Sequence, residues 1–260
     1  MQTILVNEHN VHIVKQQNTP VVMALGFFDG VHKGHQQVIG AAKRKAKLLG
    51  LPLAVMSFFP HPKTVFSNEA IDYLMPLEQK AKQLQALGVD MFYVVEFTKA
   101  FAKLSPKQFI EQYLIALGVK CAVAGFDYTF GAKGAGTIHE LQALSDGRIA
   151  VEVVDKYSLH GEKVSSTAIQ QLLKRGQVEE VTALLGKPHT VKYARDKGVL
   201  PYYTLPESGA YYVTIVAGKR AISQRIVIDG THIQLGQDII FEECAIMFHQ
   251  RMEQLLPISS

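Results

Sequence analysis

The stretch VVMALGFFDGVHKGH, residues 21 to 35, decides the fold of this chain. Val21 to Leu25 form an apolar run typical of a buried strand, and the glycines that follow mark a turn into a helix. A helix that starts after such a turn presents unpaired N–H groups and the positive end of its dipole, which favour phosphate. His32 and His35 stand at this point, and Gly34 leaves room for a triphosphate to approach the backbone. The stretch predicts a nucleotide-binding βα turn.

Other interpretations of this stretch stay open. Two histidines three residues apart are also a metal-ligand pattern, but no third ligand follows at the spacing of a known zinc motif, so any metal ligands are unknown. A solvated turn without a ligand is the plainer alternative. The string GAKGAGT, Gly131 to Thr137, is similar to a P-loop, but it lacks the lysine before Thr137, and we reject it as a Walker motif.

Composition bounds the class of protein. A chain of 260 residues with 48% hydrophobic content can bury one large core or two ordinary ones. The net charge of +4, from 27 basic and 23 acidic residues, fits an anionic small substrate better than nucleic acid. The one basic cluster, within residues 43 to 47, is typical of a solvated helix face.

Cysteine usage and hydropathy bear on the compartment. Cys121 and Cys244 are far apart in sequence, so no disulfide framework is indicated and a reducing compartment is expected. The first residues lack the pattern of a signal peptide, and no apolar run is long enough to cross a bilayer. We expect a soluble, cytoplasmic protein without a membrane partner, and the oligomeric state is unknown.

Strand-like and helix-like segments alternate from residue 21 to about 154, which predicts an α/β fold with a parallel sheet covered on both faces. The predicted strands are Val21 to Phe27, Leu53 to Phe58, Met91 to Glu96, Cys121 to Gly125 and Ala150 to Val154. The predicted helices are His35 to Leu49, Leu77 to Leu87, Pro106 to Leu117 and Ile138 to Leu144. Ser105 is expected to cap the third of these helices, with Gln108 completing a capping box.

A different pattern follows. Ser165 or Ser166 is expected to cap one helix, and a second helix, Val178 to Leu185, is expected to end at Gly186. We place a domain boundary after Lys187, giving domains 1–187 and 188–260. The second domain is predicted to be a small β-barrel or sheet with strands Tyr211 to Val216, Arg225 to Ile228, Ile233 to Leu235 and Asp238 to Phe241.

Three loops are candidates for a ligand site because each follows a predicted strand of the parallel sheet. They are Phe28 to His35, Phe59 to Phe66 and Phe126 to Gly136, and all are rich in Gly, Pro, His or aromatic residues. Sheets of this kind bind ligands beyond the carboxyl ends of their strands. We therefore expect these loops to lie at one edge.

Five motifs occur in the order seen in the prokaryotic bifunctional riboflavin kinase/FAD synthetase family, which this chain resembles. They are GFFDGVHKGH, FFPHP, FAKLSPKQF, AGFDYTFG and VSSTAI. The match is close over roughly the first 190 residues and poor beyond them. The resemblance implies a Rossmann-like FMN adenylyltransferase domain followed by a shortened riboflavin kinase barrel.

The family's reaction transfers AMP from ATP to the phosphate of FMN, which gives FAD and pyrophosphate. By resemblance, His32 and His35 are catalytic and stabilise the charge that develops on the phosphates. Mg²⁺ would accompany ATP. The residues implied for ATP binding are Gly26, Phe27, Asp29, Gly30, Gly34, Ser165, Ser166 and Thr167. A plain helix cap is the alternative for the Ser-Ser-Thr segment.

The resemblance also implies a flavin site built from two loops. Its residues are Pro60, His61, Pro62, Phe66, Asp127, Tyr128 and Phe130. Aromatic rings can stack on the flat isoalloxazine ring, and polar groups can bind its edge. The alternative for Phe66, Tyr128 and Phe130 is that they are ordinary core aromatics.

The chain departs from the family at several places. The family has SSTRIR where this chain has Ala168 and Gln170 in place of both arginines, and Gly134 also replaces a common arginine. An arginine makes bidentate phosphate contacts that these residues cannot make. The kinase motif PTAN is absent from GVLPYYTLPESGAYYV, Gly198 to Val213, so riboflavin kinase activity is not expected.

Three functions remain in competition. The favoured one is a monofunctional FMN adenylyltransferase with a structural or regulatory barrel. The second is a flavin- or nucleotide-binding regulator with weakened catalysis, which the loss of arginines favours. The third is a nucleotidyltransferase with a different acceptor.

Overall fold

The computed structural model describes residues 1–16, 19–66, 72–159, 161–235 and 241–253. The chain forms two compact units. The first comprises Met1–Ile71 and Glu78–Tyr157, and the second comprises Asp72–Leu77 and Ser158–Ser260. The helices after residue 165 therefore belong to the same compact unit as the carboxyl-terminal strands. The domain boundary after Lys187 stays a prediction.

The first unit is built on a six-stranded sheet in which every pair of neighbouring strands is parallel. The strands are β1 Gln2–Val6, β2 Val21–Leu25, β3 Leu53–Phe59, β4 Met91–Glu96, β5 Val119–Gly125 and β8 Ala150–Val154. Their order in the sheet is β1-β4-β3-β2-β5-β8. A short antiparallel pair, β6 Thr129–Phe130 and β7 Gly136–Thr137, lies between β5 and β8 in the chain. The predicted Rossmann-like parallel sheet is confirmed.

The centre of the sheet explains where the candidate loops lie. Strand β2 is buried at all five positions and pairs with β3 on one side and β5 on the other. The strand order reverses between β2 and β5, which is the place where open α/β sheets bind ligands. Because β3, β2 and β5 are parallel neighbours, the loops after them leave the same edge of the sheet.

Helices and strands together form the apolar core of the first unit. The helices are α1 Val11–Gln16, α2 Lys33–Leu49, α3 Pro62–Phe66, α4 Leu77–Ala86, α5 Pro106–Phe109 and α6 Ile138–Leu144. The predicted helix over 106–117 is confirmed at its start, where Ser105 and Gln108 form the capping box. Beyond α5 the chain continues as a π-helix, Ile110–Ile115, which the apolar periodicity did not distinguish from an α-helix.

The second unit is a nearly closed antiparallel barrel with two helices. Its helices are α7 Ser166–Leu173 and α8 Val178–Leu185. The barrel order is β12-β11-β16-β13-β14-β15. Its strands are β11 His189–Ala194, β12 Gly198–Val199, β13 Gly209–Ala217, β14 Arg220–Asp229, β15 His232–Gln234 and β16 Glu243–Met252, and a short pair precedes them, β9 Ser158–Leu159 and β10 Glu162–Lys163. The predicted small β-barrel is confirmed.

Some elements differ from the prediction. Strand β2 ends at Leu25 rather than Phe27, because Phe28 adopts a left-handed conformation and the turn begins there. The strands β1, β11 and β16 were not predicted. The strand expected over 238–241 lies mostly outside the described residues. In the part of the chain that is described, no helix combines the length and apolar character of a membrane span.

Candidate functional site

The turn between β2 and α2 has an unusual backbone. Phe28 and Val31 have φ of 53° and 43°, and Gly30 has φ of 76°. The left-handed region is costly for a bulky residue, of the order of 1–3 kcal/mol each. Phe28 and Val31 are each only 1% exposed, so packing holds the turn in this shape. Rigid, strained turns of this kind are a recurrent feature of functional sites.

His32 and His35 lie side by side at the start of α2. Their rings stack with centroids 3.5 Å apart and planes 16° from parallel. His32 is the N-cap of the helix, and its Nδ1 accepts a hydrogen bond of 3.2 Å from the backbone N–H of His35. A Cβ added at Gly34 would stand 3.3 Å from two atoms of the His32 ring. The glycine between the histidines therefore permits their close stacking.

The protonation of this pair follows from its contacts. Because Nδ1 of His32 is an acceptor, the neutral His32 ring carries its proton on Nε2. Burial lowers the pKa of His35 well below its ordinary value, and the neighbouring His32 and Lys80 lower it further. Nδ1 of His35 is buried and has no hydrogen-bond partner among the described residues. The site thus offers a neutral imidazole with an unsatisfied ring nitrogen.

The loop after β3 meets this turn. The ring of His61 packs edge-on against that of Phe27, with centroids 4.6 Å apart. Burial lowers the pKa of His61 to about 4, with help from the charges of Lys63 and Lys80. Phe66, at the end of α3, is 67% exposed and so is not a core aromatic. The structure thus brings His61 together with the two-histidine turn, and Pro60 and Pro62 flank it.

The loop after β5 carries the remaining candidates for flavin binding. Asp127 is exposed, whereas Phe130 is buried in the core of the first unit. The rings of Tyr128 and Phe130 stack 6.1 Å apart, and Phe130 also lies 5.5 Å from Phe109. Burial raises the pKa of the Tyr128 phenol. Phe130 therefore has a packing role, and Asp127 stands exposed at the same sheet edge.

The Ser-Ser-Thr segment lies in the second unit, at the start of α7. Ser165 is the N-cap, and its hydroxyl accepts a hydrogen bond of 3.2 Å from the backbone N–H of Ala168. The predicted cap is confirmed at Ser165 rather than Ser166. The side-chain amide of Gln170 donates to the backbone carbonyl of Asp72 at 3.2 Å. Gln170 is thus used within its own unit.

Lys80 and Ser57 were not predicted as site residues, yet both lie beneath the turn. The Lys80 ammonium donates to the carbonyl oxygen of Phe27 at 2.7 Å and to Oγ of Ser57 at 3.2 Å. The Ser57 hydroxyl donates to the same carbonyl at 2.7 Å. Lys80 is 2% exposed and lies in α4, where the sequence pattern predicted a helix and no site residue. A serine inside the apolar strand β3 was the one available signal.

Within the described ranges, no group of three or more His, Cys, Asp or Glu side chains is placed to hold a metal ion.

Comparisons with known proteins identify the family of this chain. The family model described as FAD synthetase matches residues 14–168. The chain is 47% identical over 194 residues to the bifunctional riboflavin kinase/FMN adenylyltransferase of Bacillus subtilis, covering 74% of this chain and 61% of that protein. It is 31% identical over 199 residues to a FAD synthetase of Listeria monocytogenes, covering 73% of this chain and 79% of that protein.

The similarity of fold extends beyond the matched family model. A crystal structure of a macrolide-efflux protein from Streptococcus pneumoniae matches with a TM-score of 0.87 and 26% identity, over 100% of this chain and 94% of that one. The alignments to three bifunctional riboflavin kinase/FMN adenylyltransferases span 55 to 61% of those proteins' length. With more than half of its residues inside the family model, the chain belongs to the FAD synthetase family.

Proposed function

We propose that the protein is an FMN adenylyltransferase that joins AMP from ATP to FMN, giving FAD and pyrophosphate. The stacked pair His32 and His35 at the amino end of α2 is the observation that carries the proposal. Membership of the FAD synthetase family supports it. FMN is proposed as the acceptor because of the family and its relatives. The two-histidine turn supports the transfer of AMP from ATP.

The reaction needs charge stabilisation rather than a covalent enzyme intermediate. A phosphate oxygen of FMN bonds to the α-phosphorus of ATP, and the bond from that phosphorus to the bridging oxygen of the β-phosphate breaks, releasing pyrophosphate. The Nε2–H of His32 would donate to a phosphate oxygen, and His35 would supply a neutral donor from the same face. The amino end of α2 adds its backbone N–H groups. Mg²⁺ would arrive with the ATP substrate and share the neutralisation.

The acceptor would lie against the loops that follow β3 and β5. Exposed Phe66 offers a ring for stacking, and exposed Asp127 offers a carboxylate for the polar edge of a flavin. Pro60, Pro62 and Tyr128 would complete the walls, and His61, which contacts Phe27, would join the acceptor to the nucleotide turn. Buried Phe130 would act by supporting the Tyr128 ring.

The test follows FAD by chromatography after incubation with ATP, Mg²⁺ and FMN. We expect FAD from the wild-type protein and a loss of about 100-fold or more in His32→Asn. Asparagine is a strong N-cap, so this variant removes the imidazole while keeping a helix cap. His9→Ala is the matched control, because His9 has a side chain that is 84% exposed. Wild-type protein that makes no FAD contradicts the proposal.

We propose further that the barrel has no riboflavin kinase activity, because Gly198 to Val213 lacks the PTAN string. Incubation with riboflavin, ATP and Mg²⁺ is expected to yield no FMN. Appreciable FMN would overturn this part of the proposal without touching the adenylyl transfer.

A regulatory protein that binds nucleotide or flavin without turnover is the second candidate. Ala168 and Gln170 favour it, because neither residue offers a cationic contact for phosphate and the Gln170 amide already binds Asp72. Binding of ATP and FMN without formation of FAD would select this function. Binding of ATP without binding of FMN would select an adenylyltransferase with a different acceptor.

The expected cellular setting is the cytoplasm, with ATP and FMN as small-molecule partners. Cys121 and Cys244 are buried free thiols, which fits a reducing compartment.

A further inference from the structure

Lys80 is a buried cation that the proposed chemistry leaves without a role. Lysine is almost never buried this completely unless it is paired. Two of its three donors are directed to Phe27 and Ser57, and its ammonium also lies 4.5 Å from the centroid of the Phe27 ring. Burying a charge costs free energy unless the charge is paired and hydrogen-bonded. The hydrogen bonds of Lys80 meet this condition and fix the carbonyl group of Phe27.

Phe27 is the last residue before the strained part of the turn. Its carbonyl oxygen accepts hydrogen bonds from both the Lys80 ammonium and the Ser57 hydroxyl. On the other side of Phe28, the Asp29 carboxylate is 4% exposed, and its charge raises the pKa of Lys80. The same ammonium thus acts on the turn at two points, on each side of left-handed Phe28. Contacts of this kind are what a strained backbone requires to persist.

Lys80 also sets the potential at the site. Its charge lowers the pKa of both His35 and His61, although burial is the larger cause in each case. A field that disfavours a proton on these imidazoles favours an anion beside them. The charge of Lys80 therefore adds to the effect of burial in keeping both imidazoles neutral, and the same charge would attract a phosphate group.

We propose that Lys80 is a positioning residue of the nucleotide site, which fixes the Phe27 carbonyl, holds the Gly26–His35 turn open to a triphosphate and favours the bound anion by its charge. This inference rests on the proposed function, because it takes the turn to be the nucleotide site.

The test compares lysines on one helix. Lys80→Met removes the charge and the donors at similar volume, and Lys82→Met is the control, since the Lys82 side chain is 68% exposed in its pair with Glu78. The probe is adenosine 5′-(α,β-methylene)triphosphate with Mg²⁺, which binds without transferring AMP. We expect its affinity, measured by calorimetry, to fall at least tenfold in Lys80→Met and to stay within twofold in Lys82→Met. Wild-type affinity in a folded Lys80→Met protein would overturn the inference.

Further variants distinguish an effect of Lys80 on the stability of the protein from an effect on the position of the Phe27 carbonyl. Lys80→Met leaves Asp29 buried without this cation, so Lys80→Met with Asp29→Asn removes both charges and relieves that cost. Lys80→Arg keeps the charge and is expected to recover most of the affinity that methionine loses. If the double variant folds like the wild type and binds as tightly, Lys80 is a structural residue and the inference fails.

The wild-type protein provides a measurement without substitution. Burial lowers the pKa of Lys80 to about 8, although Asp29 opposes this shift. Raising the pH from 7 to 9.5 therefore removes its charge, and affinity for the probe is expected to fall about tenfold, while Lys80→Arg shows no such fall. His35 and His61 face the same ammonium, but their lowered pKa values keep them neutral across this range. A flat wild-type profile would contradict the inference.

The two proposals fail in different ways. Because the probe needs no acceptor, wild-type protein that binds it and makes no FAD overturns the proposed acceptor, and the comparison of Lys80 with Lys82 still decides the inference. Wild-type protein that binds no nucleotide overturns both.

Discussion

His35 in the first unit and His189 in the second show two ways of enclosing a histidine. The Nε2 atom of His189 lies 2.7 Å from the carbonyl oxygen of Thr204, and its ring stacks on Phe248. His35 stacks on His32, and its buried Nδ1 has no hydrogen-bond partner in the described part of the chain. Burial is the main cause of a lowered pKa in both. A lowered pKa alone therefore does not mark a site, and what distinguishes His35 is its unsatisfied nitrogen beside a second histidine.

The backbone is also regular at His189 and strained close to His35. His189 begins the regular strand β11 and pairs with Phe248 of β16. His35 follows a turn in which Phe28 and Val31 are left-handed and buried. We infer that His189 stabilises the barrel around it, whereas the position of His35 depends on a strained backbone that lowers stability.

Replacing each histidine by alanine is the most direct test of this difference between His35 and His189. In His35→Ala we expect the rate of FAD formation to fall about 100-fold or more with a small change in stability, because a charge-stabilising donor is lost. In His189→Ala we expect a loss of about 3 kcal/mol in the free energy of unfolding and an unchanged rate well below the melting temperature. Steady-state kinetics and chemical denaturation measure both. A reversed pattern would show that the contrast is wrong.

The pH dependence of stability sharpens the contrast for the second unit. The pKa of His189 is lowered from 6.5 to about 4, so the unfolded chain binds the proton more readily between these values. Its contribution is fully present above pH 6.5 and is lost as the pH falls towards 4, up to about 3 kcal/mol.

Hydrogen exchange of the amides in β11 and β16, followed from pH 7 to pH 4, measures this loss. His189→Gln cannot titrate and is expected to lack that part of the slope. An unchanged slope in the variant would assign the acid sensitivity to other groups.

Two glycines in α2 test whether the histidine stack needs its close geometry. Gly34→Ala places a Cβ 3.3 Å from the His32 ring, and we expect kcat/KM for ATP to fall about tenfold through displacement of that ring. Gly40→Ala is the matched control, because its Cβ meets only Arg44 at 3.6 Å. Both variants gain helix propensity of about 0.5–1 kcal/mol, so thermal stability should rise or hold in both. Equal rates in the two would argue against a role for the stack.

The smallest expected effect concerns two serine caps. Ser165 and Ser105 each accept a backbone hydrogen bond of 3.2 Å, in the second and the first unit respectively. Replacement by alanine should cost about 1 kcal/mol in either case. If Ser165 also binds phosphate, only Ser165→Ala should raise the KM for ATP, by about threefold. An unchanged KM would leave Ser165 as a cap alone.

Much of the fold could be predicted from local patterns. The strands Met91–Glu96 and Ala150–Val154 and the helices Ile138–Leu144 and Val178–Leu185 have the predicted bounds. Strand β16 was missed, although Cys244, Ile246 and Phe248 alternate as buried residues along it. Its pairing with β11 and β13 joins segments distant in the chain, and a single-segment pattern does not contain that information.

The site was predictable where chemistry and glycine spacing coincide, as in His32, Gly34 and His35. Lys80 was not, because the contact that gives it meaning joins α4 to a carbonyl 53 residues earlier. Phe66 and Phe130 had the same expected status, yet one is exposed and the other belongs to the core. The sequence shows that both residues are phenylalanines able to stack, but only the packing of the folded chain determines which ring is exposed and which is buried.

The parallel order β3-β2-β5 has a consequence for how such a protein diverges. Each of the three loops leaves a different strand, and each strand keeps its register through its own ladder. An insertion after β5 therefore leaves the histidine turn after β2 undisturbed, since loops tolerate changes that strands do not. Under the proposed function, the loops that would contact the acceptor can change in sequence while the turn that would bind ATP stays constant.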